Sequence, residues 1–173
     1  MTTRNFDALL KPRGVVLLGA SNRPGSVGAV VARNLLEGGF AGDLVFVNPH
    51  ETRVAGHPCI QSLDALTHTP DLAVIATPAP SAYSLLCELS ERGCRAAVVI
   101  TAGDSHFRAS LLEAAAPRSM RIMGPNCLGL LSPVAGINAS FAQLTPLRGK
   151  LALVTQSGAI ATAMLDWAHG RGI

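Results

Sequence analysis

The sequence predicts an α/β fold, a doubly wound parallel sheet, on three observations. Short apolar runs recur at Val15–Leu18, Leu44–Val47, Leu72–Ala76, Ala96–Ile100 and Met120–Met123. Runs of this length, bounded by Gly, Pro, Asn and Thr, are the pattern of strands buried on both faces. Stretches of helical period lie between most of them, and strands alternating with helices at short spacing make βαβ units with helices on both faces of the sheet.

The elements follow in order. Residues 1–14 are a lead-in with a short helix expected around Phe6 to Leu10. After the first strand comes a loop, Gly19-Ala20-Ser21-Asn22-Arg23-Pro24-Gly25-Ser26. A helix opens near Ser26, because Val27, Val30, Val31, Leu35 and Leu36 recur at its period, and Gly38-Gly39 ends it. The second strand stops at Asn48-Pro49, where proline removes a ladder donor and disfavours helix at the residue before it. Residues 50–60 are expected to be a plain connection and Ser62 to Leu66 a short helix. The third strand runs out into Thr77-Pro78-Ala79-Pro80, and Ser81 is placed to cap the next helix, which Gly93 stops. Its apolar positions are dense, and Cys87 is read as a core residue. The fourth strand ends in Thr101-Ala102-Gly103, a helix spans about Ser105 to Ala116, and the fifth strand follows.

Composition narrows the function classes. Hydrophobic residues make up 49% of the 173, ample for a core, and no apolar run reaches the length that crosses a bilayer. Met1 to Arg13 lacks the long apolar stretch of a secretory signal, so a cytoplasmic location is expected. The net charge of +3 is dispersed and aromatics are few, which argues against nucleic acid and fits an anionic small molecule. Cys59, Cys87, Cys94 and Cys127 show no paired metal-ligand spacing; all four are expected to be reduced thiols, with no metal site.

Strand, glycine loop and helix together aim unpaired backbone N–H groups at an anion, which the helix dipole also favours. Gly19 and Gly25 allow a ligand to come close, and Gly28 allows the helix to pack tightly on the sheet. A βα turn that binds nothing has the same local pattern. The other strand ends tip the balance. They read Asn48-Pro49-His50, Ala76-Thr77-Pro78 and Ile100-Thr101-Ala102, an open polar rim at the edge where parallel sheets take ligands.

A nicotinamide dinucleotide fits poorly. Its fingerprint is G-x-G-x-x-G with an acid about 20 residues on, whereas position 21 is serine and the second strand ends without an acid, Glu51 lying just beyond. A P-loop fails because no lysine separates Gly25 from Ser26. His50 and Arg53 supply neighbours suited to a phosphorylated ribose, and coenzyme A is the common nucleotide that carries one. Arg23 is either a phosphate contact or a solvated loop arginine.

The last third opens with Gly124-Pro125-Asn126-Cys127-Leu128-Gly129, a polar turn directly after the fifth strand. Cys127 lacks a nameable histidine partner and is read as a small lining residue rather than a nucleophile. Ser132 to Arg148 is expected to be a loop excursion, Leu151 to Val154 a strand, and Ala159 to about His169 a helix entered through Gln156-Ser157-Gly158. That repeats the opening device and makes Ser157 and Gly158 a second candidate anion cradle. A strand and a helix are not a domain, so a truncated second unit is expected.

Five segments in order carry a resemblance: Gly19 to Gly28, Val47-Asn48-Pro49, Ala76-Thr77-Pro78-Ala79, Gly124 to Gly129 and Gln156-Ser157-Gly158. The chain resembles the N-terminal, CoA-binding part of NDP-forming acyl-CoA synthetases, a family that includes succinyl-CoA synthetase alpha subunits and ADP-forming acetyl-CoA synthetases. It resembles still more the large bacterial proteins that fuse such a region to a GNAT acetyltransferase domain. The resemblance implies a Rossmann-like CoA-binding domain over residues 1–123 and the incomplete start of a flavodoxin-like domain over 124–173. It implies coenzyme A or acyl-CoA as ligand, with Gly19, Ala20, Ser21, Arg23, Gly25, Ser26 and Val27 at the phosphates. Asn48, Pro49, His50, Ala76, Thr77, Pro78, Ile100, Thr101 and Ala102 would line the rest. A lysine often follows the Asn-Pro step in the family, and here His50 stands there. Asn126, Ser157 and Gly158 would belong to the phosphate site of the second domain, facing a phosphorylated histidine. Most of that domain is expected to be missing, so the role is assigned to none of the five histidines and no catalytic residue is named. The partners implied are an ATP-grasp domain or subunit and the rest of the second domain. The fragment is expected to bind without turnover; the alternative is a regulatory module sensing acyl-CoA or a nucleotide in a protein lysine acetyltransferase.

Overall fold

The computed structural model describes residues 3–173, so the first two residues of the expected lead-in lie outside the described part. Helix α1 (Phe6–Leu10) leads into β1 (Gly14–Leu18), α2 (Val27–Glu37) and β2 (Asp43–Val47). A short hairpin, β3 (Arg53–Val54) and β4 (His57–Ile60), precedes β5 (Leu72–Ile75) and α3 (Ala79–Glu91). Then come β6 (Ala96–Val99), α4 (Ser105–Ala115), β7 (Arg121–Met123), a second hairpin of β8 (Gly129–Ser132) and β9 (Ile137–Ser140), and α5 (Gly158–His169).

The main sheet has seven strands in the order β3-β4-β2-β1-β5-β6-β7, parallel except for β3. Alternate residues of the central strands point to opposite faces, as a pleated strand requires. Val15, Leu17, Leu72, Val74, Ala96 and Val98 meet α1, α2 and the β8–β9 hairpin on one face. Val16, Leu18, Ala73, Ile75, Ala97 and Val99 meet α3 and α4 on the other. The strands are therefore apolar at every position because both faces are covered.

The chain starts in the middle of the sheet, at β1. It steps outward through α2 to β2 and returns to β5 on the other flank. The crevice beyond β1 and β5 is thus the point where strand order reverses, the usual place for a ligand in an open α/β sheet.

Several expectations need correction. Residues 50–60 are a hairpin, not a plain connection: β4 adds to β2 in parallel, with Phe46 opposite Cys59, and Ala55 and Gly56 turn at positive φ. Such short strands carry too few residues to show a period. Ser62 to Leu66 condenses to one 3₁₀ turn, Leu63–Ala65. Ser81 does not cap α3, which opens at Ala79; Pro80 occupies the first turn, where its missing N–H costs nothing. Ser132 to Arg148 is not all loop, because β9 is wholly buried against α2 and pairs with β8. Leu151 to Val154 forms no strand; the segment is exposed and finds no ladder partner among the described residues. Cys87 is only half-buried, at the margin of the α3–α4 core. All four cysteines are free thiols.

Candidate functional site

The site is built where β1 meets the first turn of α2. Gly19 sits at φ +85°, and a Cβ there would lie 2.8 Å from the carbonyl carbon and oxygen of Ala76. Only glycine lets the end of β1 lie against the end of β5. A Cβ on Gly28 would come within 1.9 Å of the Gly19 carbonyl oxygen, so α2 presses directly on the loop it follows. Gly25 turns at φ +74° with open space around it.

Ser26 caps α2. Its hydroxyl accepts from the Ala29 N–H at 3.2 Å and donates to the Arg23 carbonyl at 2.8 Å. The Ser21 hydroxyl accepts from the Arg23 N–H at 3.0 Å. Both serines thus brace the loop. Among the described residues no hydrogen bond reaches the backbone N–H of Ser21, Gly25, Val27 or Gly28. These donors lie at or beside the positive end of an 11-residue helix, an arrangement suited to a phosphate or diphosphate.

The structure brings the other rim residues to the same edge. The Asn48 side chain donates to the Ala20 carbonyl at 2.6 Å and accepts from the His50 N–H at 2.9 Å. The Thr101 hydroxyl donates to the Thr77 carbonyl at 2.6 Å, and the Asn126 N–H donates to the Thr101 carbonyl at 3.0 Å. Pro49, His50, Pro78, Ala102 and Arg23 are exposed, while Ala20 and Ile100 are buried and present only backbone. The Arg23 guanidinium has no hydrogen bond or ion pair among the described residues. Asn126 stands at φ 57° just after a cis Gly124–Pro125 bond. The Cys127 thiol, pushed above its ordinary pKa by burial, lies 3.4 Å from the Val99 carbonyl. Burial thus disfavours the thiolate that nucleophilic attack would need.

Ser157 and Gly158 stand apart. Ser157 caps α5, accepting from the Ile160 N–H at 3.3 Å, but α5 buries no residue. No described hydrogen bond links the two to Asn126. A cavity of about 450 Å³ is lined by Lys11, Arg13, Phe40 and Val134, at the amino ends of β1 and β2 and away from the rim.

One participant was not singled out from the sequence. Asn22, in the middle of the loop, reaches across to Glu51, Arg53 and Ala55 on the β3–β4 hairpin. Its type carried the clue, since a loop asparagine tends to bond backbone away from its own element, but its partners depend on an unpredicted hairpin. Glu51, the acid just beyond β2, spends both carboxylate oxygens on Asn22 and so is not turned toward a ribose diol.

Comparison with known proteins identifies the family. Residues 13–133 match the family described as the CoA binding domain. The chain is 32% identical over 175 residues to the ADP-forming acetate–CoA ligase I of Archaeoglobus fulgidus, covering 97% of this chain and 25% of that protein. It is 32% identical over 174 residues to the alpha subunit of the ADP-forming acetate–CoA ligase I of Pyrococcus furiosus, covering 94% and 38%. Among solved structures, PH0766 from Pyrococcus horikoshii superposes with a TM-score of 0.90 at 31% identity, over 96% of this chain and 40% of that one. The acetyl-coenzyme A synthetase 1 of Candidatus Korarchaeum cryptofilum, in complex with phosphate and ADP, gives 0.87 at 31% identity, over 94% and 36%. The chain thus spans between 25% and 40% of the length of these proteins. It belongs to the CoA-binding-domain family and is homologous to part of the ADP-forming acyl-CoA synthetases.

Proposed function

We propose that the rim described above is where this chain holds coenzyme A or its acyl thioester, with the diphosphate on the loop from Gly19 to Val27. The reading rests on the loop amides left unpaired at the reversal point of the sheet. Backbone donors at a helix start can meet phosphate oxygens without a lysine, which this loop lacks. Arg23, exposed and without a hydrogen bond of its guanidinium among the described residues, is free to join them. The exposed His50 is the candidate for the phosphorylated ribose, whereas the Arg53 guanidinium donates to the Gly56 carbonyl. Asn48, Pro49, Ala76, Thr77, Pro78, Ile100, Thr101 and Ala102 line the remainder, largely through backbone groups. The acid beside the loop, Glu51, has both carboxylate oxygens turned to Asn22.

In the intact protein the domain serves an ADP-forming acyl-CoA ligase, the activity for which the relatives are named. An ATP-grasp part and the remainder of a second domain complete it. The β8–β9 hairpin packs on α2 as part of the first unit, so the second domain starts after Ser140, and Asn126, Ser157 and Gly158 join its phosphate site once it is whole. This chain by itself binds and does not turn over. Titration calorimetry with CoA and dephospho-CoA tests the reading. Saturable heat with CoA, accompanied by a thermal shift, is expected; no heat and no shift with either compound defeats it.

A further inference from the structure

We propose that Asn22 and Glu51 are positioning residues, a latch that presets the anion-binding loop before ligand arrives. The inference deepens the CoA reading above and rests on it.

Asn22 is exposed, yet every hydrogen-bonding group of its side chain is in use. Nδ2 donates to Glu51 Oε2 at 2.9 Å and to the Arg53 carbonyl at 2.8 Å, and Oδ1 accepts from the Ala55 N–H at 3.1 Å. Its backbone N–H donates to Glu51 Oε1 at 3.4 Å. Glu51 therefore clasps one residue with both oxygens. The partners lie 29 to 33 positions away, on a hairpin that is itself anchored where β4 pairs with β2.

The rest of the loop is braced differently. Asn48 ties down its start through the Ala20 carbonyl. The Ser21 and Ser26 bonds stay within the loop. Gly25 has nothing around it. Among the described residues, Asn22 alone joins the middle of the loop to the sheet by side-chain bonds. A loop held in its bound shape loses less conformational entropy when a ligand arrives, and affinity rises accordingly. An acid next to an anion site would by itself repel phosphate; here its geometry serves to orient Asn22.

Asn22→Ala, Glu51→Ala and the double variant of the 173-residue chain test the latch. Each single change is expected to weaken CoA and dephospho-CoA equally, by about tenfold, because the diphosphate is common to both. The double variant should be no weaker than the worse single one, since the two act as a unit. Without ligand, hydrogen exchange should quicken at the hydrogen-bonded loop amides of Arg23 and Ser26 in both single variants and stay unchanged in β1 and β5. CoA binding as tight as in the parent overturns the latch, as does tighter binding by Glu51→Ala, additive losses, or unaltered loop exchange. A parent chain that takes up no CoA defeats the CoA reading itself, whereas a parent that binds beside indifferent variants defeats only the latch.

Discussion

Gly19 carries the most constraint for its size. Its φ of +85° is a region where L side chains are strained, and a Cβ would sit 2.8 Å from Ala76. The Gly19→Ala variant is expected to lose about 2–4 kcal/mol by urea denaturation, through backbone strain and overpacking. CoA affinity should fall with it, because pushing β1 away from β5 opens the floor of the rim. The glycine was legible from its place after an apolar run, but the clash that requires it was not, since Ala76 lies 57 positions away. The thiols make a parallel case. Burial lifts the Cys94 pKa to about 12, so it is a small core residue held as a neutral thiol, whereas its spacing from the other cysteines excluded only a metal site.

Between elements, α2 and the β8–β9 hairpin are joined by a buried polar clamp. Asn34, 4% exposed within α2, donates to the carbonyls of Ser140 at 2.8 Å and Ala142 at 3.0 Å. The Ser140 hydroxyl donates to Asn138 Oδ1 at 2.6 Å and accepts from the Ala142 N–H at 3.2 Å. The Asn34→Ala variant leaves two buried carbonyls without their donor, and a loss of about 2–3 kcal/mol in the unfolding free energy is expected. An isosteric Asn34→Leu change should do no better, which separates lost hydrogen bonds from lost volume. The helix itself was legible from its period, with its start placed near Ser26; that Ser26 caps it is seen only in the structure. The hairpin was not, because Leu130, Ile137 and Ala139 are too few to declare a strand until α2 supplies the surface that buries them. Leu151 to Val154 shows the reverse: an apolar run is a strand only where a neighbour completes its ladder.

Across the whole molecule the two edges of the sheet are built for different ends. The carboxyl edge keeps free amides. At the amino edge β1, β5 and β6 are laced together around Asp71, whose side chain is 11% exposed. Asp71 accepts from the Arg13 N–H at 2.8 Å and from the Arg13 and Arg95 guanidinium groups, and its own N–H donates to the Gly14 carbonyl, so β1, β5 and β6 are tied together at one point. Burial works to raise the Asp71 pKa, but the Arg13 amide and the two guanidinium groups outweigh it and hold the carboxyl below the usual range. A carboxyl depressed in the folded state contributes stability that is fully present above its unfolded pKa of about 3.9 and is lost as pH falls through the folded value. The Asp71→Asn variant is therefore expected to be less stable at pH 7. It should also lose stability less steeply than the parent below pH 4, as chemical denaturation at several pH values would show.

The order of strands and helices, the glycine loop, the polar strand ends and the family resemblance were all present in the sequence, because period, turn chemistry and capping act over a few neighbouring residues. The order of strands in the sheet, both hairpins, the Asn22–Glu51 latch and the Asp71 knot were decided only by the tertiary structure. Each depends on a partner tens of positions away, and nothing local to either partner says which of the many polar residues it will meet.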